Sequence, residues 1–363
     1  MANELQEVVV EAGSEHSPIF RNLKRALPHV PFTVVEDPKA SWASLAGAHD
    51  PMGSGKKRLF LVRHRGEFLK KCPGSEGQVC CNYFVVNFAS NCPMECSYCY
   101  LQEYLANNPA LKVFSNMGDL MAEADRLFSR QRRFFFRIGT GEITDSLALD
   151  PYTGFCAEVI PFFAAQPNAL LELKTKTDRV EGLLGLSPKG RVVVSWSMNP
   201  PRVIDDEEHL TASFERRLAA ARRCQEAGYR LGFHFDPMIE YPGWEADYRE
   251  AVERIFATID HRRVAWVSLG VLRSTPGLKR IMRQRFPSTR LLAGEHVSCA
   301  DGKMRYFQPL RVSMYRKMLI WIRAAAPAVF VYLCMESKEV WQQVFGFAPS
   351  CEKELGNQML ARE

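Results

Sequence analysis

Strand-like and helix-like segments alternate through most of this 363-residue chain. Segments rich in β-branched and aromatic residues indicate strands, and the amphipathic segments between them indicate helices. Such alternation favours βα units around a parallel sheet, because parallel neighbours need a crossover connection. Six units predict an α/β fold, a partial (β/α)6 TIM-type barrel. The strand-like segments are 83–89, 134–139, 170–175, 191–197, 231–236 and 264–270, and the helix-like segments are 117–131, 152–165, 178–185, 209–227 and 244–260.

Two further regions flank the predicted barrel, which covers residues 59–275. Residues 1–58 form a mixed α/β extension that ends in a loop at 51–57, PMGSGKK. Residues 276–363 form a C-terminal region with a β-hairpin over 289–310, where Asp301-Gly302 supplies the tight turn. Helices at 276–285 and 312–325 and a closing strand at 329–334 are also expected.

The composition restricts the class of protein. Hydrophobic residues make up 47% of the chain and charged residues 24%, which favours a packed core and argues against wholesale disorder. No apolar run reaches the roughly 18 residues that span a bilayer, and the first residues lack the layout of a secretory signal. Eleven cysteines, an odd number without a secretory context, argue against a disulfide scaffold. We therefore expect a cytoplasmic monomer with no membrane partner.

Three cysteines lie close together just after the first predicted strand. Cys92, Cys96 and Cys99 follow the spacing C-x3-C-x2-C. Three thiolates can hold three irons of a [4Fe–4S] cluster and leave the fourth iron open. A zinc site needs a fourth cysteine or a histidine, and residues 87–104 contain no histidine. A zinc site that takes Cys80, Cys81 or another distant residue as its fourth ligand is the alternative.

This spacing, with Tyr98 before the last cysteine, resembles the signature of the radical S-adenosylmethionine (SAM) superfamily. The resemblance implies that the open iron binds SAM and that one electron from the cluster cleaves it to a 5′-deoxyadenosyl radical, which abstracts hydrogen from a substrate. Gly139-Thr140-Gly141-Glu142 resembles the superfamily's "GGE" element. Its glycines would let the backbone approach SAM, and Glu142 would neutralise the SAM ammonium group.

Residues from about 58 to 310 resemble the spore photoproduct lyase family. The matching pieces include FASNCPMECSYCYLQ, TDSLALD at 144–150, TKTDRVEGLL at 175–184 and SMNPPRVI at 197–204. This resemblance implies repair of a thymine–thymine adduct in DNA and an electron donor such as flavodoxin or ferredoxin. It places Lys176 and Ser197 against SAM, and it gives Tyr98 and Tyr100 a part in closing the radical cycle.

The chain departs from this family at one position. The cysteine that returns a hydrogen atom to the thymine radical lies three residues before the aspartate, where this chain has Glu142. A carboxylate cannot serve as a hydrogen-atom donor, so either another cysteine does so or the reaction differs. Cys334 is the predicted replacement, Cys299 and the pair Cys80–Cys81 are alternatives, and each could instead be a buried small hydrophobe.

Substrate contacts are predicted at two places. His234 and Asp236 end the fifth strand, and Lys303, Arg305 and Tyr306 of the hairpin could contact phosphates and bases. The net charge of +6 permits nucleic-acid binding without requiring it.

Three functions follow from these observations. The first is a lyase-like enzyme of DNA lesion repair. The second is the same radical chemistry on a small heterocyclic or nucleobase-like metabolite. The third is a non-catalytic protein that binds zinc or nucleic acid.

Overall fold

Eight strands of this protein, described by a computed structural model over residues 5–187 and 190–360, form one curled half-barrel sheet. Seven strands are parallel and follow one another in chain order, and Leu69–Lys71 pairs antiparallel at one edge. We number the parallel strands 1 to 7. They are Tyr83–Val86, Phe136–Gly139, Ala169–Thr175, Val192–Ser197, Arg230–Met238, Val264–Val271 and Val331–Leu333. The predicted barrel architecture is confirmed, with a seventh parallel strand beside the six.

Helices cover the sheet between successive barrel strands and bury nearly all of its side chains, as the continuous apolar runs require. Ser213 caps one of them by accepting a bond from the Arg216 N–H, so this helix begins at Phe214 rather than at 209. The helix predicted over 152–165 is divided at Gly154, whose φ of 68° interrupts it. The helices are Met117–Arg130, Asp150–Thr153, Phe155–Ala164, Glu181–Leu184, Pro201–Glu207, Phe214–Glu226, Trp244–Thr258 and Gln308–Ala325.

A second sheet of five strands lies in the N-terminal part of the chain. Its strands, in spatial order, are Phe32–Val35, Glu7–Glu11, Arg58–Val62, Leu111–Phe114 and Ala89–Ser90. The predicted strand 83–89 therefore contributes to both sheets. This sheet takes strands from both sides of residue 58. The division of the chain into regions at residues 58 and 275 therefore stays a prediction. The helices here are Pro18–Ala26, Lys39–Ala43, Pro51–Lys56 and Leu101–Tyr104.

The segment PMGSGKK is a short helix and not the predicted loop. Asp50 accepts a hydrogen bond from the Gly53 N–H at 3.0 Å, and Pro51 occupies the first helical position. Both features favour a helix start. Glycines in the segment suggested a loop, but Gly55 lies where a Cβ would be only 2.1 Å from the Pro109 carbonyl oxygen, so close packing explains it.

The C-terminal region contains the predicted helix Pro276–Arg285 and a shorter hairpin than expected. Val297–Ser298 pairs with Met304–Arg305, which also pairs with Arg273–Ser274. Two helices that the sequence did not indicate, Lys338–Phe345 and Glu352–Leu360, end the described chain. Among residues 5–187 and 190–360, no helix combines the length and apolarity needed to cross a bilayer.

Candidate functional site

The loop that carries Cys92, Cys96 and Cys99 is held by backbone and side-chain bonds on both sides. Asn91, at a φ of 67°, accepts the Cys92 N–H at 2.7 Å and donates to the Pro109 carbonyl at 2.6 Å. Glu95–Cys96 pairs antiparallel with Glu208–His209. The Cys99 N–H donates to the Cys96 carbonyl at 3.1 Å. The loop therefore has a defined conformation beyond the end of barrel strand 1.

The three thiols are electrostatic neighbours, and burial raises the pKa of two of them. Burial raises the pKa of Cys92 to about 12 and that of Cys96 well above its ordinary value. Thiolates at these positions therefore require a strongly positive partner, which bound iron supplies.

The ligand types of the cysteine loop favour an iron–sulfur cluster over a zinc ion. Residues 87–104 contain three cysteines and no histidine that could complete a zinc site. Three thiolates fit a [4Fe–4S] cluster whose fourth iron stays open to a ligand. The proposed fourth zinc ligands lie elsewhere, since Cys81 contacts Cys80 and neighbours Arg137 and Cys334.

Lys176 extends beside the cluster cysteines. Its backbone N–H donates to Asp145 Oδ2 at 2.8 Å, and its ammonium group lies 5.7 Å from the centre of the Tyr98 ring. Burial opposes a charged lysine here, but the neighbouring Glu208 carboxylate and Cys96 sulfur raise its pKa above the ordinary value. The ammonium group stays charged and can pair with a ligand carboxylate.

Asp145 fixes the loop after barrel strand 2 against barrel strand 3. Its Oδ1 accepts the N–H groups of Leu147 and Ala148 at 3.0 and 2.9 Å and the Thr175 hydroxyl at 2.8 Å. Its Oδ2 accepts the Lys176 N–H. A buried carboxylate with four donors is fully satisfied, so Asp145 orients Lys176 instead of contacting a substrate.

Tyr98 belongs to a buried ionic network. Its hydroxyl donates to Glu208, whose Oε1 also accepts from Asn199 Nδ2 at 2.8 Å. Arg217 Nη2 lies 2.7 Å from Glu208 Oε2, and both side chains are 0% exposed. Burial opposes ionisation of Glu208, but Arg217 and Lys176 hold its pKa at about 2. The network fixes the Tyr98 ring beside Lys176.

Glu142 lies at the mouth of the barrel, among charged side chains from several strand ends. Burial raises the pKa of this carboxyl, and Asp236 adds to the effect while Lys174 and Arg273 oppose it. Its backbone carbonyl accepts the Tyr100 hydroxyl at 2.7 Å. The structure thus brings Glu142 and Tyr100 together, and their roles near the cofactor stay predictions.

Cys334 follows barrel strand 7 directly and reaches the same mouth. Its N–H donates to the Leu269 carbonyl at 2.8 Å, and its carbonyl accepts from Arg273 Nη1 at 3.3 Å. Its thiol lies against Asp236 and has Glu142 among its charged neighbours. Burial raises the pKa of Cys334 to about 12, so the thiol keeps its hydrogen at neutral pH.

Cys72, which the sequence interpretation missed, lies on another side of Glu142. It follows the edge strand, and its N–H donates to the Tyr83 carbonyl at 2.8 Å. Burial raises its pKa to about 11, Glu142 adds to that effect, and its thiol is also a neighbour of Tyr100. No spacing singles out this cysteine. Cys299, in contrast, stays in the hairpin, with its sulfur 3.9 Å from the Val297 carbonyl oxygen.

The glycine element after barrel strand 2 has a packing explanation. A Cβ at Gly139 would lie 1.3 Å from the Tyr83 hydroxyl oxygen, and one at Gly141 would lie 2.8 Å from Lys174 Cβ. The Thr140 hydroxyl is buried and donates to Ser146 Oγ at 2.7 Å. Contact with SAM at 139–141 stays a prediction, because neighbouring side chains alone account for both glycines.

We predict that Gly139→Ala lowers the free energy of unfolding by about 1–3 kcal/mol, the usual cost of overpacking. The added methyl group would meet Tyr83 at both the hydroxyl oxygen and Cζ, so Tyr83→Phe gives no relief. In a Tyr83→Ala background the same change should cost much less, which a double-mutant cycle in urea measures. Equal costs in the two backgrounds would refute the packing explanation.

The two residues of barrel strand 5 that were predicted to bind substrate already bond other side chains of the protein. His234 Nε2 lies 2.7 Å from Glu172 Oε1, inside the barrel, and burial lowers the pKa of the imidazole. Glu172 also accepts from Ser195 and Arg137 at 2.7 and 2.9 Å. Arg273 Nη2 donates to both carboxylate oxygens of Asp236, at 2.8 and 3.1 Å. His234 is therefore a satisfied interior histidine, and only Asp236 lies at the mouth.

The three hairpin residues predicted to contact nucleic acid differ in how far protein partners already occupy them. Arg305 is 1% exposed and both of its terminal nitrogens bond Asp301, so it stabilises the turn. Tyr306 is buried too, and its hydroxyl accepts the Glu240 N–H at 3.1 Å. Lys303 is half-buried and donates to Ser75 Oγ. Nucleic-acid contact through these three residues stays a prediction, and the burial of Arg305 and Tyr306 counts against their part in it.

Ser197 ends barrel strand 4 close to the Tyr98 network. Its carbonyl accepts from Arg217 Nη1 at 2.9 Å. The structure therefore gathers the three cysteines with Lys176, Ser197 and Tyr98 at one end of the barrel, with Glu142, Tyr100 and Cys334 around the mouth.

Comparison with known proteins gives a consistent result. A family model described as spore photoproduct lyase matches residues 71–306. A spore photoproduct lyase from a Geobacillus species is 30% identical over 232 residues, which are 63% of this chain and 66% of the relative. The enzyme from Bacillus subtilis is 29% identical over 241 residues, which are 66% of this chain and 68% of the relative. The chain thus spans about two thirds of the length of these relatives.

Solved structures agree with the sequence comparison. A double mutant of spore photoproduct lyase with bound AdoMet and dinucleoside spore photoproduct superposes with a TM-score of 0.81 at 25% identity. The match covers 91% of this chain and 98% of that one. A complex of the lyase with dinucleoside spore photoproduct has a TM-score of 0.78 at 24% identity, with the same coverage.

Proposed function

This chain belongs to the spore photoproduct lyase family, and from that premise we propose that it repairs a thymine–thymine lesion as a radical SAM enzyme. Members of the family use a [4Fe–4S] cluster together with SAM. When bound, these two groups supply a 5′-deoxyadenosyl radical that abstracts hydrogen from the substrate. The observation that carries the proposal is the cysteine loop at the end of the barrel, with the charged Lys176 beside it.

The residues that would hold the two groups lie together. Cys92, Cys96 and Cys99 are the three cluster ligands of the proposal. Lys176 supplies a positive charge for the SAM carboxylate, and Ser197 lies next to it at the end of barrel strand 4. Glu142, with Gly139, Thr140 and Gly141 before it, would face the SAM ammonium group, and Tyr98 would line the site between Lys176 and Glu208.

The hydrogen donor of the proposed reaction is Cys334. Its S–H bond would break as a C–H bond forms on the substrate radical, which leaves a thiyl radical on Cys334. Tyr100 would then return a hydrogen atom from its hydroxyl group to that sulfur, so that the unpaired electron moves to the Tyr100 oxygen. The shared neighbour Glu142 supports this role, since it accepts from Tyr100 through its carbonyl and faces Cys334 through its carboxyl group.

We predict that Cys334→Ala lowers product formation at least about 100-fold, the scale for losing one positioned catalytic group, while SAM cleavage persists. The measurement quantifies 5′-deoxyadenosine and the repaired thymine nucleosides in the same reaction. Cys299→Ala is the matched control, since that thiol lies in the hairpin. Full repair by Cys334→Ala together with loss in Cys72→Ala would transfer the role to Cys72 and refute this assignment.

The function itself is tested with the dinucleoside spore photoproduct as substrate. The anaerobically reconstituted protein, with SAM and dithionite, should release the two thymines from their adduct. A brown protein that cleaves SAM but leaves this substrate unchanged would favour the second function, a small heterocyclic or nucleobase-like metabolite. Binding to duplex DNA should weaken steeply with salt, because phosphate contacts release counterions.

Three further proposals concern the surroundings of the enzyme. The one-electron step requires an electron donor such as flavodoxin or ferredoxin. A cytoplasmic location fits the count of eleven cysteines, an odd number that argues against a disulfide scaffold. A monomer is proposed as the active form, which light scattering of the reconstituted protein would test.

A further inference from the structure

Arg285 binds the cysteine loop from outside. It ends the helix Pro276–Arg285, and its side chain is only 13% exposed. Its Nε and Nη2 donate to the two carboxylate oxygens of Asp50, at 2.9 and 3.1 Å. Nη2 also donates to Glu95 Oε2 at 2.9 Å, and Nη1 donates to Gln102 Oε1. One guanidinium thus joins the N-terminal region, the cysteine loop and the C-terminal region.

Two of these partners belong to the cysteine loop and to the helix Leu101–Tyr104 that follows it. Glu95 immediately precedes Cys96. Gln102 donates to the Ser97 carbonyl at 2.9 Å and to the Cys96 carbonyl at 3.4 Å. Arg285 therefore acts on the backbone around Cys96 through both Glu95 and Gln102, without touching a thiol.

A second cation completes the arrangement on the N-terminal side. Lys56 lies 3.2 Å from Glu95 Oε2 and donates to the Met94 carbonyl. The two carboxylates of Asp50 and Glu95 thus face the two cations Lys56 and Arg285, so the charges balance. The planar guanidinium group of Arg285 binds three side chains at once. A lysine cannot reproduce this geometry.

We propose that Arg285 is a positioning residue that fixes the conformation of the cysteine loop and thereby retains the iron–sulfur cluster. The inference rests on the cluster assignment of the proposed function but not on its substrate. Groups that orient metal ligands without binding the metal typically contribute 10–100-fold to metal affinity. Arg285 holds such a position, since its bonds end on Glu95, which precedes Cys96, and on Gln102, which bonds the Cys96 and Ser97 carbonyls.

The test compares Arg285→Gln and Arg285→Lys with Arg283→Gln, an exposed arginine on the same helix. Amide hydrogen exchange over residues 94–102 is measured on the full chain before and after reconstitution, and iron release to a chelator afterwards. In Arg285→Gln we expect exchange and iron release to be about 10–100-fold faster. Arg285→Lys should show a smaller change in the same direction, and Arg283→Gln should match the wild type.

Two results would overturn the inference. One is exchange and iron release in Arg285→Gln within about twofold of the wild type. The other is an equal change in Arg283→Gln, which would indicate a general charge effect. Exchange before reconstitution needs neither cluster nor substrate, so a protein that shows the Arg285 effect but repairs no lesion refutes the proposed substrate alone. Circular dichroism melts of all variants identify any that fail to fold, and Arg285→Lys then carries the test.

Discussion

Replacing Cys92 with alanine is expected to remove the iron–sulfur cluster and, with it, all measurable cleavage of SAM. Changes to groups that merely orient a metal ligand cost about 10–100-fold, so loss of a ligand should cost at least about 100-fold. Only two thiols would remain to bind four irons, and one of them, Cys96, is buried where a thiolate needs the iron charge. Iron and sulfide content, visible absorption and 5′-deoxyadenosine formation measure the effect.

The control for this experiment is Cys351→Ala, which removes an exposed thiol from the C-terminal segment. It should bind iron and cleave SAM as the wild type does. A Cys92→Ala protein that kept its iron and still formed 5′-deoxyadenosine would contradict the cluster assignment and the proposed function together. Stoichiometric zinc in the purified wild-type protein would instead support the non-catalytic alternative.

The barrel could be predicted because its strands are buried on both faces. Continuous apolar runs such as Val264–Val271 leave little choice of structure, and the structure places all six predicted strands within a few residues of the expected ends. The cysteine loop could be predicted equally well, because its three cysteines lie close together in the sequence. The ends of helices and strands were harder to predict from the sequence, because capping residues such as Ser213 determine them through single hydrogen bonds.

The glycine element shows that a sequence motif can have a packing explanation that the sequence does not reveal. In sequence, Gly139 and Gly141 suggested room for a ligand. In the structure, Tyr83 fills the space at Gly139, and Lys174 fills the space at Gly141. Tyr83 is more than fifty residues away in sequence, so no local pattern could have revealed the contact.

Charged side chains were the least predictable part of the site. Arg305 looked like a phosphate contact, but both of its terminal nitrogens bond Asp301, four residues earlier. Glu208 and Arg217 were not singled out at all, because their importance depends on meeting Tyr98 in the folded chain. Interior ion pairs connect residues from separate elements, and a single sequence carries no signal of such pairing.

The ion pair of Glu208 and Arg217 leads to the second large prediction. Both side chains are fully buried, so removing one charge leaves the other uncompensated. Glu208→Gln is expected to lower the free energy of unfolding by about 3–5 kcal/mol, the usual cost of breaking a buried pair. SAM binding should weaken as well, because Glu208 holds Tyr98 and sustains the charge of Lys176. Urea unfolding and equilibrium dialysis with SAM measure the two effects.

The matched control is Glu226→Gln, which breaks an exposed pair with Arg222 at 2.8 Å. Exposed pairs contribute about 0–1 kcal/mol, so this variant should stay close to the wild type. A Glu208→Gln protein as stable as Glu226→Gln, with unchanged SAM affinity, would show that the buried network does not support the site.

The same carboxylate predicts how stability depends on pH. Although burial opposes its ionisation, Arg217 and Lys176 hold the pKa of Glu208 at about 2 in the folded protein, below the value of about 4.3 in an unfolded chain. A carboxyl group whose pKa is lower in the folded protein stabilises the fold at pH values above its unfolded pKa. This stabilisation is lost as the pH falls toward the folded pKa. The wild type should therefore lose more stability than Glu208→Gln between about pH 4.3 and 2. Parallel curves for the two proteins over that range would contradict the assigned charge state of Glu208.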